Sequence, residues 1–137
     1  MTHLELSADS KARHLRFIQR VTAAGVVWGL KSDDGWVTSS STADHTEDQG
    51  LMPFWSDRAY AKQCATDEWA EYVPTEIPLE HFLERWVPGM HADGLLVGTN
   101  WNVHLCGYEI EPLKLREELL AANEVRSNTS LERTREG

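Results

Sequence analysis

Six tryptophans, Trp28, Trp36, Trp55, Trp69, Trp86 and Trp101, all fall between residues 28 and 101 of a 137-residue chain. Each is a large apolar ring with a single N–H, so it is packed on several sides while its nitrogen finds an acceptor. That places the core in the middle of the sequence and leaves the ends to cover it. A single domain of this length buries most of the surface its unfolded chain exposes, without needing a disulfide or metal to hold it. The rings mark architecture and name no chemistry.

Local signals divide the chain into elements. Ser7 to Ala24 reads as a first helix, with Ser7 as cap, Asp9 complementing the dipole, and Ala8, Ala12, Leu15, Ile18 and Thr22 recurring at helical spacing until Gly25 ends it. Val26 to Leu30 and Trp36 to Thr38 follow as a hairpin through Ser32-Asp33-Asp34-Gly35. That tetrad suits a type I turn with Gly35 in the left-handed position of a bulge, a three-residue loop. The register then sets Ser32 opposite Trp36 and puts Trp28, Leu30 and Trp36 on one face.

Residues 39–50 are polar and lack either hydrophobic period, which predicts a mobile loop. Leu51 to Trp55 returns as a short strand, with Pro53 implying an edge position or an early end to pairing. Ser56 and Asp57 start a helix that carries Tyr60 and Cys64 on one side, and the chain beyond it either stays helical or breaks at Thr66-Asp67. Ile77 to Gly89 is the most strongly patterned helix, because Leu79, Phe82, Leu83 and Trp86 form one apolar stripe between Pro78 and the stop Pro88-Gly89. Gly94 to Thr99 and Gly107 to Ile110 read as strands, and Pro112 to Asn123 as a closing helix with Leu113, Leu115, Leu119 and Leu120. Residues 124–137 have no apolar period and are expected to form a disordered tail. Together these predict one α+β domain over residues 1–123, a mixed or mostly antiparallel sheet of about five strands with helices packed largely on one face.

The same residues, in order, carry a resemblance. Gly25-Val26-Val27-Trp28-Gly29-Leu30, Asp34-Gly35-Trp36, Met52-Pro53-Phe54-Trp55, Tyr60-Ala61, Cys64-Ala65, Trp69, and the run from Ile77-Pro78-Leu79 through Phe82-Leu83, Trp86 and Pro88-Gly89 to Asp93-Gly94 resemble domain-of-unknown-function family 2750. The likeness covers about residues 13 to 120. It implies a small, single-domain bacterial cytosolic protein and brings no activity, cofactor or catalytic residue with it.

Chemistry is therefore sought in the residues themselves. No phosphate-binding glycine loop, nucleophile elbow or HExxH helix is present. His104 and Cys106 would share a face on a strand, but one such pair falls short of a zinc site, so no metal or cofactor is expected. Glu80 and Glu84 lie opposite the Leu79 to Trp86 stripe, where solvation is their role. Charge is more informative: residues 1–32 hold five Lys/Arg against two Asp/Glu, residues 33–93 three against thirteen, and the chain carries −9 overall. An acidic middle repels a nucleic-acid backbone and attracts a basic protein. The apolar runs are too short for a membrane span, no secretory leader is evident at the N-terminus, and the two separated cysteines suit a reducing cytoplasm.

Two stretches join aromatics to polar groups, Thr66 to Tyr72 and Asn100 to Asn102. Asp67, Glu68, Trp69, Glu71, Tyr72 and Trp101 are accordingly the candidate binding residues. The leading expectation is a non-enzymatic protein-interaction module with an acidic surface. A small-ligand binder or minor enzyme with a pocket lined by Trp55, Trp69 and Trp101 is the alternative, and a structural accessory subunit a third reading.

Overall fold

Two small sheets, tied together by the backbones of two tryptophans, organise the chain. The computed structural model describes residues 2–40, 49–104 and 107–136, with side chains over 8–39, 49–104 and 107–125. In order, the elements are α1 (Thr2–Ala24), β1 (Val26–Ser32), β2 (Gly35–Trp36), β3 (Ser39–Ser40), β4 (Gly50–Phe54), α2 (Arg58–Cys64), a 3₁₀ turn (Asp67–Trp69) and β5 (Val73–Pro78). There follow α3 (Leu79–His81), a π turn (Phe82–Trp86), α4 (Val87–Ala92), β6 (Leu96–Thr99), β7 (Tyr108–Ile110) and α5 (Pro112–Glu136).

The architecture is α+β, with two sheets in place of the single one expected. One has the order β2-β1-β5 and is antiparallel; the other has the order β3-β4-β6-β7, with a parallel β4-β6 pair. Trp28 and Trp55 exchange both backbone hydrogen bonds, at 2.8 and 2.7 Å, and stitch β1 to the end of β4. Pro53 is not on an edge strand, since β4 lies between β3 and β6. Its position is tolerated because β3 reaches only Gly50 and Leu51, so among the described residues no strand lies beside Pro53 on that flank.

The hairpin closes one residue tighter than the turn chemistry suggests. Ser32 pairs with Gly35 and Lys31 with Trp36, leaving only Asp33 and Asp34 in the turn. A shift of one residue sends a side chain to the opposite face. Trp36 therefore shares the face of Val27 and Gly29, while Trp28 and Leu30 face the other way. Gly29 helps set this register: a Cβ there would meet the Trp36 ring at 2.9 Å, so the missing side chain is the space the ring occupies.

Strand β5 has no apolar alternation and was not expected. It pairs with β1 over six residues, from Val26 opposite Pro78 to Lys31 opposite Val73. Pro74 and Pro78 are four apart, so their nitrogens point the same way, and on an edge strand that way is outward. The helix after it runs past Pro88-Gly89 to Ala92 instead of stopping there. The π turn over Phe82–Trp86 explains this, because widening the turn before a proline relieves its clash with the carbonyl four residues back. α5 continues to Glu136, where a disordered tail from residue 124 is expected; no Gly or Pro interrupts residues 124–136. Most of the expected 39–50 loop, residues 41–48, lies outside the described residues, and its ends pair as β3 and β4.

Alternation along β1, β4 and β6 feeds two cores. On one side α1, the α3-to-α4 helix and α5 bury Phe17, Val21, Phe82, Val87, Leu115 and Leu119 against Val27, Phe54, Val97 and Ile110. On the other, α2 and the 3₁₀ turn bury Ala61, Cys64 and Trp69 against Leu30, Leu51, Trp55 and Trp101. The buried face of α1 is His14, Phe17, Ile18, Val21 and Thr22, at i, i+3, i+4, i+7 and i+8, while Leu15 is 50% exposed. The stripe read from the sequence was thus rotated, and it missed a histidine.

Candidate functional site

The antiparallel pairing of β1 with β5 fixes where the acidic residues meet. Because Lys31 stands opposite Val73, the hairpin tip at Asp33-Asp34 runs alongside the chain leaving the 3₁₀ turn. Lys31, Ser32, Asp33, Asp34, Glu71, Val73 and Thr75 line an open groove of about 730 Å³ there. The Lys31 ammonium lies over the Trp36 ring, 5.3 Å from its centre. Val73 is 57% exposed and adds an apolar contact to the rim.

The six candidate residues divide by burial. Asp67, Glu68 and Glu71 are exposed, and Asp67 opens its turn with φ 53°, a left-handed conformation that Asp tolerates better than most residues. Trp69, 7% exposed, sets its ring edge-on to Trp55 at 6.5 Å, and Tyr72 is half-buried against the same cluster. Trp101 is 2% exposed; its indole N–H donates to the Tyr108 carbonyl at 3.1 Å, and its own carbonyl accepts from the Trp55 indole at 3.0 Å. Trp55, Trp69 and Trp101 belong to one buried cluster, and none of them lines the acidic groove. An edge of Trp101 instead reaches a separate pocket of about 240 Å³ formed with Arg13, Arg16, Tyr60, Gln63, Asn100, Asn102 and Val103.

A polar network that the sequence reading did not foresee lies behind that pocket. Asn100 is buried with φ 48°; its Oδ1 accepts from the Ser56 N–H at 2.8 Å, and its Nδ2 donates to the Ser56 hydroxyl and the Arg13 carbonyl. Asp57 occupies the cap position of α2 without capping it. Its carboxylate instead accepts Ser56 Oγ at 2.6 Å and both N–H groups on one edge of the Arg20 guanidinium, Nε at 2.7 Å and Nη2. Burial raises the Asp57 pKa, but the hydrogen bonds from Arg20 and Ser56 outweigh it and hold the carboxyl below its ordinary value. One tie thus binds α1 to α2.

His14 makes the second tie. Its Nδ1 stands 2.8 Å from Thr99 Oγ1 and its Nε2 2.6 Å from Glu118 Oε1, while its ring stacks on Tyr108 at 4.1 Å. One neutral tautomer satisfies both partners, Nε2–H donating to Glu118 and Nδ1 accepting the Thr99 hydroxyl. The order hydroxyl, imidazole, carboxylate is that of a nucleophile and its base, but Thr99 is fully buried beneath α1 and offers its oxygen to no substrate. The trio is a crosslink between α1, β6 and α5.

Cys64 is equally inert: burial pushes its thiol up to about 11, and the Sγ–H points to the carbonyls of Trp101 and Asn102. The proposed His104 and Cys106 pair falls outside the described residues at Cys106. Among the described residues no three His, Cys, Asp or Glu side chains converge as a metal site requires. No helix among them is long and apolar enough to cross a membrane.

A family model described as a protein of unknown function, DUF2750, matches residues 14–119. The chain belongs to this family. No curated protein and no solved structure matches it. In this DUF2750 member the matched segment starts at His14 and includes Glu118, so both ends of the buried crosslink fall inside it, together with the acidic groove and all of the pocket lining except Arg13. Helical spacing could have found His14, since it holds the first position of the stripe His14, Phe17, Ile18, Val21. Asn100, Ser56 and Arg13 meet only through tertiary structure.

Proposed function

We propose that this protein is a non-enzymatic cytoplasmic interaction module that docks a basic segment of a partner protein in the groove between the hairpin tip and residues 71–75. The observation that carries the reading is the convergence of Asp33 and Asp34 with Glu71, distant from them in sequence, on one open groove. Asp67 and Glu68 are exposed on the turn that leads into it, which extends the negative field. Lys31 is drawn toward Trp36 and Val73 supplies an apolar contact, a combination suited to Lys or Arg side chains with long aliphatic stems.

The test is affinity capture from a bacterial lysate with the wild-type chain and with the D33N/D34N/E71Q variant, which keeps side-chain shape and removes three charges. A basic protein retained by the wild type, released by raised salt and lost to the variant supports the reading. Equal recovery by both chains, or recovery of acidic proteins only, overturns it.

A further inference from the structure

We infer that this protein pairs with a second copy of itself through the groove beside α4, the two helices crossing antiparallel at Gly89. The inference is independent of the acidic groove. Arg85, Trp86, Gly89, Met90 and Asp93 come together on one side of the α3-to-α4 helix and, with Met52 and Leu95, line an open groove of about 250 Å³. Its floor is apolar: Met90 is buried, and Met52, Trp86 and Leu95 are half-buried against the helix-side core.

Two observations point outside the chain. Gly89 stands inside α4, where glycine is less stable than alanine, yet a Cβ there would meet nothing within 4 Å. Nothing in the fold needs the side chain to be missing, whereas a second helix crossing closely at that point does. The other observation is charge. Arg85 and Asp93 are exposed on the rim, four residues to either side of Gly89, and among the described residues neither joins an ion pair.

That spacing is self-complementary. A twofold axis through Gly89 turns position 85 of each copy onto position 93 of the other, so one operation forms two Arg–Asp pairs, one at each end of the crossing. A parallel crossing would set Arg85 against Arg85. The aliphatic stem of each Arg85 lies across the apolar floor of the other copy's groove, and its guanidinium reaches Asp93 at the far rim. A small molecule fits less well, since an open groove of about 250 Å³ lies below the roughly 300–1,000 Å³ of sites that enclose such ligands. The −9 charge of the chain repels a second copy at a distance, and one helix crossing belongs with the small interfaces that bury under about 1,200 Å² in total. The dimer is therefore weak and is populated only at high concentration.

The experiment is sedimentation equilibrium of the full chain over a series reaching about 1 mM, where weak complexes are populated. The wild type is expected to fit a monomer–dimer equilibrium. R85D and D93R each set like charges opposite one another twice and are expected to weaken it about tenfold or more. D93R lowers the net negative charge, so a nonspecific charge effect would tighten association where loss of this pairing weakens it. An equimolar mixture of R85D and D93R regains both pairs and is expected to form mixed dimers within about threefold of the wild-type affinity. G89Q fills the crossing with a helix-compatible side chain and is expected to abolish the dimer, while D33N/D34N/E71Q leaves it unchanged. A wild type that stays monomeric throughout, a folded R85D or D93R that dimerises as the wild type does, a mixture no tighter than its separate parts, or loss of the dimer in D33N/D34N/E71Q overturns the inference. If a charge variant fails to fold, G89Q decides it, and an undiminished dimer there is the contrary result.

Discussion

The two faces of the sheets are built on different principles. The helix-side core is aliphatic and phenylalanine-rich, and its helices bury residues that recur at helical spacing. The tryptophan-side core gathers Trp55, Trp69 and Trp101 from a strand end, a 3₁₀ turn and a loop, and the Trp55 indole, the Trp101 indole and the Cys64 thiol in it all point at backbone carbonyls. The acidic groove and the Arg13 pocket both adjoin the second core, since Glu71 sits between Trp69 and Tyr72, and Trp101 forms a wall of that pocket. The regular face supports and the irregular face carries the candidate residues on turns and loops, in line with the tendency of binding residues to lie on loops held by a rigid scaffold.

Substitution at matched positions sharpens that contrast. Trp55→Ala and Phe82→Ala each empty a fully buried ring position, which costs about 3–5 kcal/mol. Urea denaturation should place Trp55→Ala at or beyond the upper end, because it also strips the Trp101 carbonyl of its indole donor and leaves it only the weak Cys64 thiol; a cost well below that of Phe82→Ala would break the comparison. Glycines give the next largest effect. Gly98→Ala drives a methyl to 2.5 Å from Trp101 Nε1 and should cost about 1–3 kcal/mol, whereas Gly89→Ala, in the α4 helix with open space around it, should gain about 0.5–1 kcal/mol. Opposite signs are expected in thermal melts, and equal signs would show that the tryptophan face is loosely packed.

Acid reads the tie between α1 and α2. Asp57 is held below its ordinary carboxylate value, so its contribution is present above that value and is lost as pH falls through the lower, folded one. Asp57→Asn should flatten the acid limb of the folded protein's stability curve below the ordinary carboxylate range, measured by denaturation at successive pH values. An unchanged acid limb would show that Arg20 and Asp57 do not pair in solution. The smallest effect is chemical. With its thiol near 11, Cys64 is about one part in a thousand ionised at pH 8, so site-resolved mass spectrometry after iodoacetamide should find it unlabelled until the chain is denatured.

The sequence displayed the helix face far better than the tryptophan face. Leu79, Phe82 and Leu83 are buried as their spacing demands, and α2 starts after Asp57 as its cap signals imply. The hairpin register escaped because turn residues alone do not reveal that Trp36 lies over Gly29. β5 escaped because Pro74 and Pro78 erase the strand pattern, although an edge strand tolerates both. Of the candidate residues, Asp67, Glu68 and Glu71 were placed at the surface by charge, and Trp69 and Trp101 went inward because a loop segment in sequence is a core segment once two sheets meet over it. His14, Asn100 and Arg13 share no motif. Their chemistry depends on three elements meeting.

Hydrogen exchange on the chain with and without a basic polypeptide such as polylysine tests the central claim most directly, because it reads both faces at once. The account predicts slowed exchange at residues 31–34 and 71–75, with the α3-to-α4 helix and its outward Glu80 and Glu84 unchanged. Protection confined to that helix face, with the groove exchanging as in the free protein, would contradict it.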